Sequence, residues 1–291
     1  MKQCFALPGH ACVRSMILFG IMLLASACTL LVDTSARQCT SHDDCGALGL
    51  AGMECIEHVC QSMDAIMVWS CLGTVTRPAS GARTVSLRIP VVDVLTMQPP
   101  AELQIKFCPK LDVDCSHPLE GAFFFDDSNR LVTEFQAGFD GYIEMTSSAT
   151  MPALLFVTLP VWQDTVIQNV LPVVSAEGFQ GIAKALGTTP DLQHLGNVYA
   201  LASDCSGAPA AGVRFEIDRE TETTKRYYMV NNVPVGSAVA TDAAGSGGFL
   251  NVDTGFTSIT GLVSSSGARI GESAFIVRAG AVSYPRLLPS P

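Results

Sequence analysis

After Cys60 the chain alternates. In Arg83-Thr-Val-Ser-Leu-Arg-Ile89 the apolar side chains of Val85, Leu87 and Ile89 fall at every second position, and Leu103, Ile105 and Phe107 repeat the pattern. Successive side chains of a strand point to opposite faces, so each such set forms one apolar side that a second sheet must cover. Turn formers separate the runs, at Pro99-Pro100, Asp126-Asp127-Ser128-Asn129 and Gly138-Phe139-Asp140-Gly141. Pro152-Ala-Leu-Leu-Phe-Val-Thr-Leu-Pro160 reads as a buried strand with a proline at each end. The pattern implies a mostly β chain. With 291 residues, 48% of them hydrophobic and 15% charged, there is apolar material for about two domains after an export signal is removed.

One segment has a different period. Phe179, Ile182, Ala183 and Leu186 stand at i, i+3, i+4 and i+7, between Ser175 as N-cap and Gly187 as C-cap, which predicts a short helix despite Gly178 and Gly181. On either side of it the order of elements repeats. Val213-Arg-Phe-Glu-Ile217 alternates like Leu103 to Phe107, Thr241 to Phe249 takes the hairpin place of Asp126 to Leu131, and Asp253-Thr-Gly-Phe256 answers Ala137-Gly-Phe139. The expected organisation is therefore two tandem β-sandwiches, residues 68–174 and 196–291, joined by a helical linker over 175–195.

The N-terminus sets an address. Lys2 and Arg14 precede the apolar stretch Met16 to Leu24, and the small residues Ala25-Ser26-Ala27 stand directly before Cys28. That is the layout of a secretory signal peptide over residues 1–27. The ending resembles a bacterial lipobox, which implies lipidation of Cys28, a tether over 28–38 and a chain held to the cell envelope, on the outer membrane or cell surface. Ordinary cleavage and an uncleaved anchor are the alternatives, since Thr29-Leu30-Leu31-Val32 nearly extends the run to membrane-spanning length. All three put the rest of the chain outside the cytoplasm.

Cysteine usage agrees with export. Cys39, Cys45, Cys55 and Cys60 lie within 22 residues, too short a segment to bury a stabilising core, so disulfides are expected to hold it. Four cysteines allow three pairings, and the spacing does not choose among them. His42 and His58 lie nearby, but the C-x2-C step of zinc ribbons is missing and no metal is expected. The segment resembles the small cysteine-rich modules that follow the lipobox in bacterial surface lipoproteins. Further on, Cys108-Pro-Lys-Leu-Asp-Val-Asp-Cys115 is read as a local bridge, with Cys71 as the rival partner of either cysteine and Cys205 left for Cys71 or free.

The stretch Asn197-Val-Tyr-Ala-Leu-Ala-Ser-Asp-Cys-Ser-Gly-Ala-Pro-Ala-Ala-Gly-Val213, with Ala240-Thr-Asp-Ala-Ala-Gly245, resembles a carboxypeptidase regulatory-like domain. The resemblance implies a transthyretin-like, immunoglobulin-type β-sandwich in a stabilising or adhesive role, and no catalysis. Residues 68–174 are a more diverged candidate for the same fold.

Chemistry-bearing motifs are sparse. The sequence contains no G-x-S-x-G elbow, H-E-x-x-H helix or P-loop, and Gly245-Ser-Gly-Gly248 has no basic neighbour. Asp112, Asp114, Asp126 and Asp127 could offer oxygens to Ca2+, but their spacing is unlike an EF-hand loop and solvated turn acids are the better reading. A formal charge of -10 repels phosphate backbones, which excludes nucleic acid as a partner. The expected function is a non-enzymatic envelope lipoprotein, without cofactor, that acts as a structural or adhesive module and meets an envelope protein or a glycan. The alternative is a carbohydrate receptor that uses Tyr227-Tyr228 or Phe123-Phe-Phe125 as platforms.

Overall fold

The structure is a computed structural model that describes residues 40, 41, 44, 53–56, 59–62, 68–75 and 83–290. Cys28, Cys39 and Cys45 lie outside these residues. The chain divides into two compact units, residues 1–66 and 67–291.

In the first unit β1 (Met53–Ile56) and β2 (Val59–Ser62) form an antiparallel hairpin whose register sets Cys55 opposite Cys60. The carboxylate of Asp44 accepts from the amides of Thr40 and Ser41, and these bonds hold its pKa down at about 2, the Thr40 amide contributing most.

The second unit holds the remaining elements. Its first part contains β3 (Thr84–Ile89), β4 (Val91–Asp93), β5 (Gln104–Pro109), β6 (Ala122–Phe125), β7 (Leu131–Gln136), β8 (Gly141–Thr146) and β9 (Ala153–Phe156). Next come β10 (Thr165–Val166), β11 (Leu171–Val173) and the helix α1 (Ala176–Ala185). After the helix run β12 (Leu195–Ala202), β13 (Val213–Ile217), β14 (Lys225–Val230), β15 (Val233–Val235) and β16 (Ser246–Asp253). The chain ends with β17 (Gly255–Val263), β18 (Arg269–Val277), β19 (Val282–Tyr284) and β20 (Arg286–Leu287).

Among the described residues the fold is mostly β with one short helix, arranged as packed sheets. Its seam differs from the tandem expectation. Strands from both sides of α1 join one nine-stranded sheet, ordered β15-β14-β16-β12-β19-β9-β8-β5, with β20 also paired to β12. The crossing point is β19, which lies parallel to β12 on one side and to β9 on the other. This shared sheet is a middle layer. Its two faces alternate residue by residue: Leu155, Tyr199, Tyr227, Leu250 and Tyr284 belong to one core, while Leu154, Val198, Tyr228 and Phe249 belong to the other. The sheet β10-β3-β7-β6 contributes Leu87, Ile89 and Phe135 to the first core, and the sheet β13-β17-β18 contributes Phe215, Ile259 and Phe275 to the second. Two sandwiches are present, back to back. Residues 175–195 therefore do not mark a break between two cores, because each half of the chain lines both.

Burial on two faces explains the sequence of β8 and β9. All four residues of β9 are buried, so it reads as a continuous apolar run, and in β8 Tyr142, Ile143 and Met145 are buried together with Glu144, which is paired with Arg278. Outer strands alternate as expected. In β13, Val213, Phe215 and Ile217 are buried while Arg214 and Glu216 are exposed and paired with each other at 3.0 Å. Phe215→Ala in residues 67–291 is expected to cost about 3 to 5 kcal/mol by denaturant titration, and Glu216→Ala about 0.5 kcal/mol or less. Equal losses would mean that the register of β13 is wrong.

The helix forms where its periodicity placed it. Ser175 accepts from the Gly178 amide at 3.1 Å, and Phe179 and Ala183 face the first core. Gly187 takes φ 71°, with Gly187 N–H donating to Lys184 O and Thr188 N–H to Ala183 O, a Schellman end. Gly178 sits close to its neighbours, since a Cβ there would stand 3.0 Å from Val174 Cγ2 and press that side chain aside.

Candidate functional site

Two bridges stiffen the second unit. Cys108 and Cys115 are disulfide-bonded, closing the loop after β5, and Tyr142 from β8 donates to the carbonyl of Asp112 at 2.6 Å inside it. Burial pushes that phenol up to about 12. Cys71 is bonded to Cys205 across 134 residues, which pins the segment beginning at Val68 to the loop after β12. The sulfurs of Cys108 and Cys115 and a carboxylate oxygen of Glu144 lie within 4.8 Å of one another. They do not make a metal site, because both sulfurs are spent in the bridge and Glu144 pairs with Arg278 at 2.9 Å.

The turn acids are engaged by their own loops. Asp112 accepts from the amides of His117 at 2.7 Å and Ser116 at 3.0 Å, and the His117 amide leads the causes that lower its pKa. Asp126 accepts from the Arg130 amide at 3.0 Å and guanidinium at 2.9 Å, with the same effect on its pKa. His117 and His194 are exposed, each beside an aspartate, and neither stands in a buried polar cluster.

The aromatic platforms separate into two groups. Tyr227 and Tyr228 are buried on opposite faces of the middle sheet, which removes them as a sugar platform. They lie in β14, whose two faces are both covered. Trp69 packs against the second core. In β6 the outcome is different: Phe125 packs on the first core, while Phe123 and Phe124 stay 40% and 48% exposed. Consecutive strand residues cannot share a face, so an Ala-Phe-Phe-Phe strand must show one ring to solvent.

The strand β6 is the outer strand of its sheet. At its first residue, Ala122, lies a groove of about 770 Å³ whose lining includes Leu119, Glu120, Gly121, Ala122, Glu134, Phe135, Phe139 and Asp140. Gly121 is required at its wall, since a Cβ would stand 2.3 Å from the Phe107 ring. Of the three lining acids, Asp140 pairs with Lys110 at 3.4 Å, while Glu120 and Glu134 have no ion pair among the described residues. The groove thus combines an apolar floor with unbalanced negative charge. A second hollow of about 500 Å³, lined by Thr158, Leu159, Arg269, Glu272 and Leu288, has its charges balanced by the Arg269–Glu272 pair. Sequence reasoning singled out the phenylalanines but missed Glu120 and Glu134. Two acids become neighbours only when β6 folds back on β7, which sets Ala122 opposite Glu134.

No family model matches this chain, and no curated protein matches it. Solved structures give only weak likeness. They include the Bacillus anthracis TIE protein at 10% identity and TM-score 0.22, covering 71% of this chain and 34% of that one. A streptococcal ancillary pilin aligns at 12% identity and TM-score 0.20, covering 71% and 63%. The shaft pilin SpaA of Lactobacillus rhamnosus GG aligns at 10% identity and TM-score 0.22, covering 72% and 99%. This chain spans about a third of the first and under two thirds of the second. Likeness at these scores carries nothing into the functional reading. Among the described residues no helix is long and apolar enough to cross a membrane.

Proposed function

We propose that this is an exported envelope lipoprotein, anchored through Cys28, whose β body is a non-enzymatic structural or adhesive module. The observation that carries the reading is the disulfide between Cys71 and Cys205 in a chain with a signal-like N-terminus, because such bridges persist in oxidising compartments. A middle sheet covered on both faces, in a unit that carries one local and one long-range disulfide, suits a body that must endure outside the cell. The cysteine-rich segment from Cys39 to Cys60 then stands between the lipid and that body, as a spacer in sequence.

The anchor is tested by labelling with a fatty-acid analogue in a lipoprotein-processing bacterium. Wild type is expected to take the label and Cys28→Ser to lose it. Label that persists in Cys28→Ser would remove the anchor from the reading. A carbohydrate role draws support only from Phe123 and Phe124, the platform residues that stay exposed, and a glycan array with the processed chain tests it directly.

A further inference from the structure

The open side of β6 is prepared for one more strand. In an antiparallel pair, residues alternate between those that exchange backbone hydrogen bonds with the neighbour and those whose N–H and C=O point away. Asp126 N–H donates to Arg130 O at 3.0 Å, which continues the register of β6 on β7. Counting back by two, Phe124 with Val132 and Ala122 with Glu134 are the bonded pairs. Phe123 and Phe125 therefore turn their backbone groups outward, and among the described residues no strand takes them. Proteins ordinarily protect such an edge with lysine, proline or a bulge. This one presents exposed phenylalanines instead, one of them on each face.

Charge selects the occupant. Asp126 is satisfied by Arg130, but Glu120, Asp127 and Glu134 around the strand have no cationic partner among the described residues. A second copy of this chain is disfavoured: antiparallel self-pairing about Phe123 or Phe124 brings Glu120 of one copy toward the Asp126 to Ser128 turn of the other, acid against acid. Parallel self-pairing stacks like on like. A strand with alternating valine-type and lysine-type residues meets both demands. Its backbone pairs with Phe123 and Phe125, its apolar side chains cover the Phe123 ring on one face, and on the other face its lysines lay their methylenes along Phe124 and reach over the small Ala122 toward Glu134.

We infer that the β6 edge binds an extended, basic, alternating apolar peptide segment of another protein by strand addition. This names a partner class for the module proposed above and rests on that reading for its location only, since binding is measured with the processed chain and without a membrane. The test uses fluorescein-labelled acetyl-Lys-Val-Lys-Val-Lys-Val-Lys-amide and fluorescence anisotropy on residues 28–291 carrying Cys28→Ser. Saturable binding is expected, absent for the same peptide with glutamate in place of lysine or proline at its centre. Glu120→Lys with Glu134→Lys should weaken it at least ~10-fold. Phe123→Pro removes an outward N–H without touching the β7 ladder, so it should abolish binding while leaving the melting temperature nearly unchanged. The charge-reversal pair keeps the test decisive should the proline variant fail to fold. No binding to the lysine peptide, equal binding of its proline form, or binding untouched by the charge reversal overturns the inference. So does self-association of the free chain that Phe123→Pro removes, which would give the edge to a second copy. A wild-type chain that takes no lipid label, with peptide binding intact, would overturn the location and leave the edge standing.

Discussion

Residues 196–291 produced alone are expected to show no cooperative unfolding, while residues 67–291 unfold in one transition. The fragment keeps the sheet β13-β17-β18 and most of the second core, but it loses β9, β8 and β5 from the middle sheet and the whole of β10-β3-β7-β6 from above it. Tyr199, Tyr227, Leu250, Val282 and Tyr284 would then face water. Each large apolar side chain exposed in this way forfeits about 1.5 to 3 kcal/mol, and a handful of them equals the 5 to 15 kcal/mol that ordinarily separates folded from unfolded. The edge of β19 that pairs with β9 would be opened as well, a site for aggregation. Both tryptophans, Trp69 and Trp162, lie outside the fragment, so far-ultraviolet circular dichroism against temperature is the suitable probe. A sigmoidal melt of the fragment, with no binding of a hydrophobic dye, would show that the shared sheet is not needed and that residues 196–291 are a domain after all.

Cys71→Ser with Cys205→Ser is the substitution expected to cost most for its size. The bridge closes a loop of 134 residues, and the loss of unfolded-chain entropy on closing so long a loop is worth about 5 kcal/mol. The Cys108–Cys115 bridge closes a step of seven, and the same relation gives about 2.5 kcal/mol. The two double variants, compared by guanidinium titration under identical conditions, should therefore differ about twofold in stability lost. The larger loss should be accompanied by easier proteolysis near Val68, whose carbonyl accepts from the Cys205 amide at 3.1 Å. Equal losses would mean that chain entropy does not govern the long bridge. Local packing of Trp69 against the second core would then be the part that matters.

Much of the architecture is legible in single segments because their periodicity reports one local environment. Val85, Leu87 and Ile89 in β3, and Val213, Phe215 and Ile217 in β13, belong to outer strands with one covered face, so the alternation names the buried side correctly. The helix is legible for a similar reason, since Ser175 and Gly187 act within a few residues of their own positions. Strands of the middle layer are less legible. In β8 and β9 both faces are covered, alternation vanishes, and the sequence alone does not say which sheet lies on which side.

Local patterning is enough to set the mostly β class, the short helix and the core face of each outer strand. The tertiary structure decided the rest: that β19 joins β9 to β12 and makes one sheet of two expected ones, that Cys71 meets Cys205, that Tyr227 and Tyr228 are core residues, and that Glu120 and Glu134 share a groove with an open edge. The physical reason is range. Caps, turns and side-chain alternation are fixed by neighbours a few residues away, whereas sheet order and groove formation depend on which distant strands bury each other's apolar faces, a choice made by the chain as a whole.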